Sequence, residues 1–150
     1  MVGLCVLGFI FCILQVSILR GLAIFQVTPD LILILLIYVA LFRGKIAMWF
    51  GFAMGLFIDL YSATLGYNAL VNTVIGYGIG SFAPYLYREM PVLWITILLG
   101  ASLIHNFTIS LAQREFSLFF FSRYIIPGSL YTVIVGLLLF SFLRRMAGKR

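Results

Sequence analysis

Long apolar runs, broken by short polar or glycine-bearing punctuation, make up almost the whole chain. Six runs are legible: residues 2–19, 29–42, 46–64, 67–87, 91–112 and 124–143. A bilayer-spanning helix takes roughly 20 apolar residues, so 150 residues hold at most about six spans with short loops. The breaks are Arg20-Gly21, Arg43-Gly44-Lys45, Leu65-Gly66, Arg88-Glu89, the stretch Gln113 to Arg123, and a basic tail RRMAGKR. The fifth run opens on Pro91, a good first helical residue. Gln113 to Arg123 carries Phe116, Phe119, Phe120 and Phe121, which suits a membrane interface. The first run resembles a signal peptide only superficially, having neither a basic leader nor a small-x-small cleavage site, and is expected to stay as a helix.

The second run sets its own start. In Thr28-Pro29-Asp30, threonine suits an N-cap, proline the first helical position and aspartate the first turn. A helix from Pro29 to Phe42 is roughly 20 Å long, against a hydrocarbon core of about 30 Å. With Arg43 at one surface, Asp30 then lies about 10 Å below the other, and Gly21–Thr28 must dip in, shielded by protein. The alternative is a single helix from Leu22 to Phe42, kinked at Pro29.

Composition fixes the class. The chain is 64% hydrophobic and 9% charged, with mean hydropathy +1.19, where soluble domains carry about 25% charged residues. The expectation is an all-α integral membrane protein, a single domain over residues 1–150 forming a six-transmembrane-helix bundle. The net charge of +6 does not imply nucleic acid, because the basic residues lie at span ends rather than on a polar face. With both termini cytoplasmic, the inner side holds Arg43, Lys45, Arg88, Arg144, Arg145, Lys149 and Arg150, and the outer side only Arg20, Arg114 and Arg123, as the positive-inside rule requires. Cys5 and Cys12 share a face of the first helix and read as small buried hydrophobes rather than a metal or redox pair.

Polar residues inside the runs are the candidate chemistry, since charge in hydrocarbon is rarely idle. Counting from the span ends at 1.5 Å per residue, Asp59 lies roughly 9 Å down, Asn72 roughly 8 Å, and His105 and Asn106 roughly 10 Å. Asp30, Asp59, Asn72 and His105 are therefore expected at one depth in the outer half, as a hydrogen-bonded layer. The bland alternative is that each satisfies itself and the shared depth is chance. A His-Asp pair can move protons, but no serine or cysteine is placed as a nucleophile, and no ligand cluster has metal spacing. Gly51-x-x-x-Gly55 and Gly76-x-x-x-Gly80 make thin helix faces, Gly78 being counted with the latter, either for packing within the chain or for another protein's helix. No P-loop is present, and YGIGS lies mid-run with no strand before it, so it is not a dinucleotide turn.

The Pro29-Asp30 opening of a leucine/isoleucine-rich run, the Arg43/Lys45 turn and the segment GFAMGLFIDLYSATLGYNAL together resemble the rod shape-determining MreD family. Gly51, Gly55, Leu56, Asp59, Leu60, Leu65 and Gly66 stand where that family's pattern expects them, and the resemblance is strongest over Pro29 to Leu70. It implies a non-enzymatic scaffold of the cell-elongation complex in the bacterial inner membrane, without cofactor or metal. The partners it implies are the bitopic protein MreC and, directly or indirectly, MreB filaments, the glycosyltransferase RodA and its penicillin-binding transpeptidase. The implied fold is similar to the six-helix substrate-binding subunits of energy-coupling-factor transporters, which supplies the rival reading: a vitamin-binding subunit with an enclosed outer-half pocket. For the scaffold, the expected contact residues are Gly51, Gly55 and Asp59, then Asp30, with Arg114 and Arg123 facing acidic groups of a partner.

Overall fold

The computed structural model describes residues 2–17, 29–62, 65–86, 90–112, 123 and 125–147. All six described runs are helical: α1 (Val2–Ser17), α2 (Leu31–Arg43), α3 (Ala47–Ser62), α4 (Tyr67–Phe82), α5 (Pro91–Ala112) and α6 (Ile126–Ala147), with single 3₁₀ turns at Gly44–Ile46 and Ala83–Tyr85. The expectations on Gly21–Thr28, Arg20, Arg88, Glu89, Arg114 and the four loop phenylalanines fall outside the described residues, as does the Cys5 side chain.

α2 is the centre. Every residue from Leu31 to Leu41 is buried, and the helix is apolar on all sides. A helix with no polar face suits a protein interior or lipid; here it is the interior, because α1, α3, α4, α5 and α6 all pack against it. Its start corrects the expected boundary. Asp30 is the N-cap, in extended conformation, and its side chain accepts the amide hydrogen of Leu33. Pro29 therefore precedes the helix instead of opening it, and the cap is Asp30. The alternative of one helix from Leu22 to Phe42 falls mostly outside the described residues; within them, Pro29 and Asp30 are not helical.

Gly44 ends α2. With φ 65° and ψ −138° it leaves helical space, in a region open to glycine and costly for other residues. The chain folds back there: a Cβ on Gly51 would lie 3.0 Å from Leu36 Cδ1, whereas in a straight helix these residues would be about 22 Å apart. Leu31–Ser62 is apolar over 32 residues, but it is a hairpin of two helices.

α3 and α4 then pack antiparallel through the two glycine pairs. A Cβ on Gly51 would come within 2.5 Å of Asn72 O, and one on Gly55 within 2.5 Å of Ala69 Cα. In return, a Cβ on Gly76 would meet Ala47 O at 2.7 Å and one on Gly80 would meet Gly44 O at 2.5 Å. Both small-residue faces are spent inside the chain. Gly78 does not share them; it lies two residues round the helix with nothing within 4 Å of its Cβ position.

α5 and α6 form the second antiparallel pair, with Trp94 and Phe140 ring centroids 4.5 Å apart and Asn106 Nδ2 3.3 Å from Ser129 Oγ. Gly136 of α6 admits Leu98 of α5 and Ile34 of α2.

The outside is as apolar as the inside: Trp49, Leu60, Leu70, Val74, Val92 and Leu138 are all more than half exposed. An aqueous protein does not present such a surface on every side, and hydrocarbon is the solvent that fits it. Val92–Leu111 is long and apolar enough to cross a membrane.

The glycine seam yields a paired prediction. Gly55→Ala forces a methyl into the α4 backbone and is expected to cost about 1–3 kcal/mol. Gly78→Ala enters open space and gains up to about 1 kcal/mol of helix propensity. Thermal unfolding of the two variants in detergent checks the opposite signs.

Candidate functional site

Both buried carboxylates act on helix starts. An α-helix begins with amide hydrogens that have no partner inside the helix, and away from water each must find an acceptor. α4 starts at Gly66 with no side-chain cap of its own. Asp59 of α3 supplies it: Oδ1 accepts from the Asn68 backbone amide at 3.1 Å and from Asn68 Nδ2 at 2.9 Å, and Oδ2 accepts from the Ala69 amide at 2.8 Å. Asp59 is 3% exposed. One side chain thus closes the α3–α4 hairpin at the end opposite the Gly44–Gly80 contact.

Asp30 does the same for α2, with help. Its Oδ1 accepts from Leu33 N at 3.0 Å and from Gln15 Nε2 at 3.2 Å. Gln15 of α1 turns its own carbonyl oxygen to Ile32 N at 3.1 Å, so two amides of the first turn of α2 are held by one carboxylate and one neighbouring carboxamide. The Asp30 amide donates to Thr132 Oγ1 of α6 at 3.2 Å. His105 of α5 approaches from the remaining side, Nδ1 3.4 Å from Asp30 Oδ2. That contact is long and is not aligned as a hydrogen bond; both ring nitrogens of His105 are buried without a hydrogen-bond partner. The two groups are thus in proximity without a hydrogen bond between them. Helices α1, α2, α5 and α6 converge on Asp30.

The four expected layer residues divide. Asp30 and His105 meet. Asp59 works in a separate network with Asn68. Asn72 is 1% exposed, its backbone lies against Gly51, and its Oδ1 has no hydrogen-bond partner. Gly51 and Gly55 sit between α3 and α4, where a partner helix has no access. Gln15, Asn68 and Thr132 were not anticipated. Gln15 was findable by the rule that picked out Asp59: it is the one carboxamide in an otherwise apolar run.

This arrangement pins helices and leaves little for chemistry. Among the described residues no three His, Cys, Asp or Glu side chains gather as metal ligands. Asp59 Oδ1 and Oδ2 and Asp30 Oδ1 serve as acceptors for amides. A half-open apolar cleft of about 210 Å³ lies between α1 and α3, lined by Cys12, Ile13, Ser17, Phe57, Ile58 and Tyr61. Neither Asp30 nor His105 lines it, so a vitamin pocket built on the polar residues is not favoured.

Two predictions follow from the caps. Asp59→Ala leaves two buried amides without acceptors and is expected to cost about 2–6 kcal/mol, at about 1–3 kcal/mol for each. Asp59→Asn, which keeps one acceptor oxygen, is expected to cost less; chemical unfolding in detergent orders the two. At the other site, Asn is as good an N-cap as Asp, so Asp30→Asn keeps the Leu33 bond while removing the charge facing His105. A double-mutant cycle of Asp30→Asn with His105→Gln is expected to show coupling of about 0.5–3 kcal/mol; strict additivity would show that the 3.4 Å approach carries no energy.

Neither a curated protein nor a solved structure matches this chain. The family profile described as rod shape-determining protein MreD matches residues 1–149. That match spans the capped α3–α4 hairpin and the central helix as well as the α5–α6 pair, and by it the chain belongs to the MreD family.

Proposed function

We propose that this protein is a non-enzymatic, multi-pass scaffold subunit of the cell-elongation machinery in the bacterial inner membrane. The observation that carries the reading is the family match over residues 1–149 of 150, to a family named for determining rod shape. The site supports it: the polar side chains expected to do chemistry are engaged in holding helices together, and the exterior is apolar. In this reading both termini face the cytoplasm, on the side of Arg43 and Lys45. MreC is the bitopic partner. MreB filaments, the RodA-type glycosyltransferase and its transpeptidase are reached directly or through it, so that the protein supports lateral peptidoglycan synthesis. Since α4 covers Gly51 and Gly55, partner helices are assigned to outward faces such as that of Phe52, Leu56 and Leu60 on α3. Asp59 and Asp30 contribute by keeping those faces in register.

A mild-detergent pull-down of the tagged protein, with mass spectrometry of proteins and small molecules, tests the reading. Recovery of MreC-type and RodA-type proteins is expected. Recovery of an ATPase module with a bound vitamin would overturn it. In cells, Asp59→Ala is expected to lower the protein's abundance and with it rod shape; normal rods at native abundance would show the cap to be dispensable.

A further inference from the structure

We infer that the α2–α3 turn is a headgroup site for an anionic phospholipid, with Arg43 and Lys45 as its cations. The inference rests on the membrane reading above and adds a ligand to it. Arg43 and Lys45 flank Gly44, both are exposed, and neither is ion-paired among the described residues. The turn between them is fixed. The Gly44 carbonyl accepts the Ala47 amide hydrogen and packs so closely on Gly80 that a Cβ there would lie 2.5 Å from its oxygen and 3.1 Å from Lys45 N. The backbone of the turn packs on α4, and the two exposed cations lie two residues apart on that fixed turn, which lowers the ordering cost of binding.

The surroundings suit a lipid rather than a free anion. Trp49 stands one turn beyond Lys45 and is 68% exposed, and Ile46 is exposed beside it. The 3₁₀ turn Ala83–Tyr85 packs against α2, which brings exposed Phe82 and Tyr85 to the same end of the bundle. Aromatic rings at headgroup depth with cations beside them match an amphiphile that carries a phosphate above and hydrocarbon below.

The test uses the full chain in discs of phosphatidylcholine doped with phosphatidylglycerol, read by native mass spectrometry of retained lipid. Wild type is expected to retain phosphatidylglycerol in preference, and to lose the preference as salt is raised. Arg43→Gln with Lys45→Gln is expected to weaken retention about 25-fold, at roughly fivefold per cation. Arg123→Gln, an exposed cation at the opposite end, is expected to change nothing, and the exchange Arg43→Lys with Lys45→Arg to keep most of the preference. The inference falls if wild type shows no preference or no salt dependence, if the double variant retains phosphatidylglycerol as wild type does, or if Arg123→Gln loses as much. It falls also if inorganic phosphate in pure phosphatidylcholine discs gives the same stabilisation, which would make the site one for the free ion. A wild-type chain that stays dispersed in buffer without detergent or discs would overturn the membrane reading itself, a result distinct from reconstitution without lipid preference.

Discussion

A helix enclosed on every side must have its first amide hydrogens satisfied by the protein, and α2 is such a helix. Its apolar surface is buried from Leu31 to Leu41, so neither water nor a polar face is at hand. Asp30 and Gln15 meet the need together, one from the helix's own cap and one from α1. Because Asp30 also ties to Thr132 and lies beside His105, the requirement of one helix end becomes the junction of four helices. The α3–α4 hairpin answers the same constraint with Asp59. The two halves are then joined by Leu36, whose Cδ1 sits 3.0 Å from a Cβ position on Gly51 and 3.1 Å from one on Gly76. The central helix thus plugs the seam between its neighbours.

The energetics argue for specification more than for net stability. Withdrawing a carboxylate from water costs several kcal/mol even after relaxation. Against this, Asp59 receives three hydrogen bonds, each worth about 1.5–3 kcal/mol when one partner is charged, and a helix dipole worth up to about 2 kcal/mol in partly buried geometry. The penalty and the bonds oppose one another. What remains is asymmetric: the native register satisfies every group in the network, whereas a hairpin slipped by one residue leaves both a carboxylate and two amides unsatisfied. Asp30 and Gln15 apply the same discipline to the register of α1 against α2.

Much of the helical layout was legible because apolar run length and punctuation are one-dimensional properties. Gly44, Gly66 and Pro91 mark element ends in the sequence and in the fold. The start of α2 moved because an aspartate that bonds the amide three residues on is itself the cap, which displaces proline from the first helical position. The polar residues divided because depth says nothing about direction round a helix. Asp59 and Asn72 were assigned nearly equal depth, yet Asp59 points to the α4 start while Asn72 lies beside Gly51, nearer the middle of the seam. His105 found Asp30 because two faces happened to meet, a fact about packing. Gly78 shows the same limit: the spacing of two that joined it to Gly76 and Gly80 in sequence turns it away from them on a helix.

A protein whose buried carboxylates are committed to amides, and whose interior is one apolar helix, has its surface left to act with. That surface is apolar round the sides, where Phe52, Leu60 and Leu138 face out, and cationic at the Gly44 turn. In hydrocarbon such side faces gain no hydrophobic drive to associate, so recognition there depends on shape, and shape depends on the helices staying in register. The capped helix starts and the glycine seam hold that register, which links the two aspartates to function although neither is placed to touch a partner.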